Sequence, residues 1–237
     1  MTEPKKRVRT IDLDNPFVAS FEGMCEILLI RHGEQQFFSN IPLGEALDAP
    51  LSELGRKQAE AVGERLAPAR LGAVYCSPMK RAYDTAYAIA KHHNLDPIVD
   101  DDLREIDLWQ TAPQDKGLLD LYTPQELAEI YREVSRTRKN TAWPHCEDSE
   151  AFKQRVVAAI DRIAAANEGH RIVIACHGGV INAYLSYLFG SAYDHVVSVH
   201  HTSITVIRAA DTRRAVLTVN DYSHVMRVQS SRGDLNA

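Results

Sequence analysis

The chain has few cysteines, and none of the spacings that would make them a scaffold. Cys25, Cys76, Cys146 and Cys176 are scattered through 237 residues with no CxxC pair. That pattern offers neither a disulfide framework nor the usual zinc-ligand spacing. Three of the four flank apolar runs, where a free cysteine behaves as a small hydrophobe. His145-Cys146 and Cys176-His177 are adjacent pairs, and neighbours in a strand point to opposite faces, so no metal site is expected. No apolar run approaches the ~20 residues of a membrane span. Residues 1–10 are polar and basic, without the apolar core of a secretory signal. An excess of positive charge is also missing. The net charge of −5 argues against broad binding to nucleic acid or an anionic membrane. Lys5-Lys6-Arg7-Val8-Arg9 is read as a short solvated tail, with a nucleic-acid or targeting patch as the competing reading. Neither GxGxxG nor GxxxxGK[ST] occurs, so no motif suggests a nucleotide-binding α/β domain. Together these features lead us to expect a reduced, cytoplasmic protein.

What is present is an alternation of strands and helices. Hydrophobic residues make up 45% and charged residues 25%, ordinary values for a globular chain. Strands are expected near 25–31, 73–76, 97–99 and 172–175. Helices are expected from Ser52 to about residue 66 (Leu54, Ala61, Val62 and Leu66 inward) and near 80–92 (Ala82, Ala86, Ile89 and Ala90 inward). Two more are expected near 150–167 (Phe152, Val156, Ile160 and Ile163 inward) and 179–189. Residues 203–208 and 215–219 read as a hairpin around Asp211-Thr212. Residues 101–149 interrupt the alternation. They carry one well-signalled helix, with Thr123 as N-cap, Pro124 at its first position and Glu126 completing a capping box. The expected fold class is α/β: three α/β/α layers, a mostly parallel sheet with an antiparallel edge strand, and a helical insertion over the strand ends. The expected division is an N-terminal tail at 1–21, an α/β domain at 22–224 with the insertion at 101–149, and a C-terminal tail at 225–237.

Two apolar runs end in histidine-glycine. Ile27-Leu28-Leu29-Ile30 leads into Arg31-His32-Gly33-Glu34, and Ile172-Val173-Ile174-Ala175 leads into Cys176-His177-Gly178-Gly179. Ligands of open α/β sheets bind at such strand ends, so the two histidines can meet although 145 positions separate them. A guanidinium at a buried strand end needs an anion, and Arg31 has Glu34 or a bound phosphate to choose from. Arg81 opens a helix, where the macrodipole disfavours a cation unless an anion intervenes. The N–H groups of Gly178 and Gly179 open another helix, a ready anion site. Each histidine taken alone could be structural, and Arg81 alone could be a surface residue.

These pieces resemble the histidine phosphatase superfamily, the phosphoglycerate mutase-like proteins, over about 26–224. They appear in family order: Arg31-His32-Gly33-Glu34, Pro50-Leu51-Ser52-Glu53-Leu54-Gly55, Ser77-Pro78 with Arg81-Ala82 and Thr85-Ala86, Leu103-Arg104-Glu105, and His177-Gly178-Gly179. The resemblance implies a metal-independent phosphomonoesterase that needs no cofactor. His32 is then the nucleophile that becomes phosphohistidine. Arg31, Arg81 and His177 bind the phosphoryl oxygens. Glu105 is the general acid and base, with Asp101, Asp102 and Asp107 as neighbouring competitors. Related phosphatases usually carry a glycine a few residues past this glutamate, which is absent here. Glu34 and Gly178 join the substrate-binding set. Phe37, Phe38, Trp109 and His201 are candidates for the leaving-group pocket, with ordinary packing as the alternative. The expected partner is a phosphomonoester, either a small molecule or a phosphoprotein; a homodimer is compatible with the sequence.

Mutases of the family typically read His-Gly-Asn at the second histidine and carry a longer insertion. Here the second motif is His177-Gly178-Gly179, and 72 positions separate Glu105 from His177. Both departures favour a phosphatase. A mutase-type phosphoryl transferase and a catalytically silent binding protein of the same fold are the alternatives.

Overall fold

A computed structural model of the protein describes residues 23–36 and 41–226. The proposed tail at 1–21, Phe37 and Phe38 lie outside the described residues, as does the C-terminal tail apart from its first two residues. Six strands, β1 (Cys25–Arg31), β2 (Ala73–Cys76), β3 (Pro97–Val99), β4 (Arg171–Cys176), β5 (Ile204–Ala210) and β6 (Arg213–Asp221), form one sheet in the order β3-β2-β4-β1-β5-β6. The first four are mutually parallel, while β5 runs antiparallel to both β1 and β6. The expected antiparallel edge is thus a two-strand hairpin. It turns at Asp211, whose φ is +50°.

Side chains alternate across each strand and build two cores. Ile27, Leu29, Ile172 and Ile174 point into a layer with Phe152, Val156, Ile160 and Ile163 of α6 (Ser149–Ala166) and with Val180 and Ile181 of α7 (Gly178–Leu188). Leu28, Ile30, Val173 and Ala175 point the other way. They meet Val62 and Leu66 of α2 (Glu53–Leu66) and Ala86, Ile89 and Ala90 of α3 (Lys80–Ala90). Central strands buried on both faces read as continuous apolar runs, which is why their positions were legible.

The expected inner face of α2 is rotated in the structure. Leu54 and Ala61 are only half-buried, and the buried stripe is Gly55, Gln58, Ala59, Val62, Gly63 and Leu66. Close backbone approach causes this. A β-carbon on Gly55 would sit 1.9 Å from the Glu34 carbonyl oxygen, and one on Gly63 would sit 2.4 Å from that of Ala88. Gln58 is buried because its Oε1 accepts the Glu34 N–H at 2.8 Å.

The segment between β3 and α6 carries α4 (Leu118–Leu121) and α5 (Pro124–Thr137). The Thr123–Glu126 capping box forms as expected. This segment has its own small core of Trp109, Ala112 and Trp143 with Leu43 of the short helix α1 (Leu43–Ala46). The Tyr131 ring packs edge-on against Trp143 at 5.1 Å. Asp194 ties the segment to the body: its Oδ2 accepts from the Asn140 N–H at 2.9 Å and from Ser149 Oγ at 3.1 Å. Among the described residues no helix is long and apolar enough to cross a membrane.

Candidate active site

Parallel pairing of β1 with β4 aligns Arg31 with Cys176. The His32 N–H then donates to the Cys176 carbonyl at 2.9 Å, and the two histidine rings lie 5.1 Å apart. Both are buried. His32 Nδ1 lies 2.7 Å from the Gly33 carbonyl oxygen. A carbonyl only accepts, so the proton is assigned to Nδ1 and the lone pair to Nε2. Arg81 Nε donates to that Nε2 at 3.2 Å, as this tautomer requires. Burial, His177, Arg81 and Arg31 together hold the His32 pKa well below the ordinary imidazole value. A neutral ring with its lone pair on Nε2 is what nucleophilic attack needs, once the Arg81 N–H turns from that nitrogen to a phosphoryl oxygen.

The first loop and α3 are clasped by Thr85. Its Oγ1 accepts the Gly33 N–H at 3.1 Å and donates to the Arg81 carbonyl at 2.7 Å. Arg81 is 5% exposed. Its Nη1 donates to the Leu47 carbonyl at 2.8 Å and its Nη2 to Met79 Sδ at 3.4 Å. Arg31 Nη1 donates to the Val199 carbonyl at 2.5 Å, while its Nε is buried without a partner among the described residues. Glu34 is not the counter-ion of Arg31; its carboxylate accepts from Ser52 Oγ at 2.6 Å. Two sunken guanidiniums that, among the described residues, bond only to neutral partners make this a strongly anion-attracting site.

His177 caps α7 at its N-terminus. Its Nε2 lies 2.8 Å from Ser77 Oγ, which in turn accepts the Met79 N–H at 3.3 Å. With one proton and two lone pairs, the Ser77 hydroxyl pairs with Nε2 in either tautomer of the His177 ring. The other ring nitrogen, Nδ1, is buried without a partner among the described residues. Burial, Arg81 and Arg31 keep His177 neutral, with its pKa well below the ordinary value. Among the described residues the site therefore holds two buried nitrogens without a hydrogen-bond partner, Arg31 Nε and His177 Nδ1.

Glu105 closes the arrangement. Its Oε2 accepts the Gly179 N–H at 3.1 Å and its Oε1 that of Ile106 at 3.0 Å. Burial raises its pKa above the usual carboxylate value and outweighs those two bonds and the Arg81 and Arg31 charges, which lower it. The competing acids are placed differently. Asp101 and Asp102 are exposed, and Asp102 pairs with Arg162 at 3.1 Å. Asp107 Oδ1 accepts the Trp109 N–H at 2.9 Å.

A cavity of about 490 Å3 opens from Arg81 and Glu105. Trp109 lines it, together with Leu43, Leu47, Met79, Leu108 and Leu118. His201 does not line it. Its ring lies 5.5 Å from that of His32, and its Nδ1 donates to the His32 carbonyl at 3.1 Å. Gly178 begins α7 beside Arg31; a β-carbon there would lie 3.7 Å from Arg31 Nε. Sequence reasoning did not single out Gln58, Met79 or the bond that Gly179 makes. Gln58 and Gly179 carry no local signal because their bonds involve backbone N–H groups brought close only by the fold, and Met79 acts through a thioether that hydrophobic periodicity does not set apart.

Residues 27–222 match the sequence model of the histidine phosphatase superfamily (branch 1). The chain is 33% identical over 205 residues to phosphoglycerate mutase-like protein 4 of Arabidopsis thaliana, covering 85% of this chain and 87% of that protein. It is 30% identical over 209 residues to a metal-independent phosphoserine phosphatase of the same plant, covering 86% and 85% of the two chains. The crystal structure of a phosphoglycerate mutase from Bacillus anthracis superposes with a TM-score of 0.66 at 25% identity, over 88% of this chain and 98% of that one.

Proposed function

Because this chain belongs to the histidine phosphatase superfamily, we propose that it is a metal-independent phosphomonoesterase working through a phosphohistidine on His32. The observation that carries this is the pair of buried nitrogens, Arg31 Nε and His177 Nδ1, that have no partner among the described residues, beside a histidine whose Nε2 holds the lone pair. A phosphoryl group supplies acceptor oxygens for both, with Ser77 Oγ donating to His177 Nε2 and the ring proton on Nδ1.

In the first step Nε2 of His32 attacks phosphorus in line. The N–P bond forms as the ester P–O bond breaks, and Glu105 gives its proton to the departing alkoxide. Arg31, Arg81 and the His177 N–H hold the equatorial oxygens and offset their charge. In the second step the Glu105 carboxylate takes a proton from water. The hydroxide forms the new P–O bond, the N–P bond breaks, and neutral His32 returns. Fixed guanidiniums supply the positive charge that a metal supplies elsewhere. The catalytic unit is 22–224, with 101–149 forming part of the cavity wall.

Phosphatase is favoured over mutase because the insertion brings no further arginine pair to the cavity. Arg136 pairs with Glu133 on the exposed face of α5, and Arg138 lies over the Tyr193 ring at 4.3 Å. The test is phosphate release from a set of monoesters in EDTA, with His32→Ala alongside. Release that resists EDTA and is lost in the variant supports the proposal; isomerisation of 3-phosphoglycerate without net release contradicts it.

A further inference from the structure

We infer that the leaving group this enzyme accepts has an uncharged, apolar body rather than the short anionic form of a glycerate; this rests on the phosphatase proposal and deepens it. The cavity borders Arg81 and Glu105, whereas His32 and His177 are not among its lining residues. Its volume of about 490 Å3 is therefore space beyond the phosphoryl site, on the side where Glu105 would protonate the departing oxygen. Cavities of roughly 300–1,000 Å3 hold drug-sized ligands, so a three-carbon acid would leave most of this one unfilled.

The wall chemistry points the same way. Leu43, Leu47, Leu108, Trp109 and Leu118 make much of its wall apolar, with Gln35 and Gln36 as its uncharged polar residues. Apart from Arg81 and Glu105, the charged lining residues are Arg104, Asp48 and Asp107. Asp48 is paired with Lys80 Nζ at 3.5 Å, which leaves Asp107 against the exposed Arg104 and no net positive charge to draw an anionic leaving group. The acids are also already engaged. Asp48 Oδ1 accepts the Lys80 N–H at 2.8 Å, and Asp107 Oδ1 that of Trp109. A substrate ammonium would have to compete for them, whereas a hydrocarbon body needs no partner.

The test is kcat/KM along a series of n-alkyl phosphates from ethyl to hexyl, beside 3-phosphoglycerate. The leaving alcohols share nearly the same pKa, so the slope reads burial alone. The expected result is a rise of about two- to fourfold per methylene, with hexyl phosphate well ahead of 3-phosphoglycerate, and a shallower slope in Leu118→Asn. A flat or falling series, or 3-phosphoglycerate as the best ester, while His32 still becomes phosphorylated, overturns this inference and spares the phosphatase proposal. No release from any ester and no phosphohistidine overturns both.

Discussion

The carboxylate of Glu105 rests on the backbone of Gly179, in space that no other residue at 179 would leave open. Gly179 N–H reaches Oε2 at 3.1 Å, and a β-carbon on Gly179 would lie 2.3 Å from Oε1. The second glycine of His177-Gly178-Gly179 therefore seats the acid at the N-terminus of α7, where the helix dipole and the N–H both favour its charged form. Mutases of the family typically have asparagine at this position, and here such a side chain would collide with Glu105.

Gly179→Ala is expected to push Glu105 off this seat. We expect kcat/KM for an alkyl phosphate to fall about 10- to 100-fold, within the worth of a positioned general acid. An aryl phosphate, whose leaving group needs little protonation, should lose much less. Steady-state kinetics on the two esters checks this; equal losses would mean a general packing defect instead.

The pH dependence follows from opposite shifts. The His32 pKa lies well below 6.5, so the nucleophile stays unprotonated into mildly acidic solution. The Glu105 pKa lies above 4.5, so its acid form persists to higher pH than an ordinary carboxyl. For alkyl esters kcat/KM should therefore decline as pH rises through the Glu105 pKa. Glu105→Gln should abolish that limb and cost about 10²–10⁴-fold. With an aryl ester both the limb and the loss should shrink. pH–rate profiles of both enzymes check this.

Ser77→Ala is expected to release the His177 tautomer. Without the 2.8 Å bond to Ser77 Oγ, Nε2 is a buried nitrogen with no partner, and the ring loses the contact that would hold its proton on Nδ1 when a phosphoryl oxygen is bound. A loss of about 10-fold in kcat/KM corresponds to ~1.4 kcal/mol, the scale of one buried hydrogen bond. The 15N shifts of His177 report the tautomer directly, which a purely structural role for Ser77 would leave unchanged.

Much of this arrangement was legible in the chain, for a physical reason. Strands buried on both faces, such as Ile27–Ile30 and Ile172–Ala175, write continuous apolar runs, and each carries its histidine at its end. Thr123, Pro124 and Glu126 mark a helix start because capping is a local interaction. Contacts made by backbone were silent. The α2 face was misplaced because Gly55 and Gly63 are buried by close approach, and hydrophobic periodicity gives glycine no weight. Glu34 looked like a partner for Arg31 by proximity in sequence, yet Ser52 holds it, a contact that depends on where α2 docks. His201 looked like a pocket residue and instead braces the His32 carbonyl.

Acid should destabilise the fold through these same histidines. Burial, with Arg31 contributing, brings His201 down to about 4, and His32 and His177 are also lowered. Folded pKa values below the unfolded ones mean that this stability is complete above about pH 6.5. It is lost as pH falls towards 4. His201 alone carries at most about 3 kcal/mol of it. The Tm should drop between pH 7 and 5, and less steeply in His201→Asn. A Tm flat across that range would contradict the buried neutral cluster.

The most direct measurement is to trap the intermediate. Glu105→Gln, mixed with an aryl phosphate that needs no acid for departure, should accumulate close to one equivalent of acid-labile, base-stable phosphate. Peptide mapping should place it on His32. Wild-type turnover of the same ester, with no phosphate found on His32 of the variant at any time, would contradict the covalent mechanism.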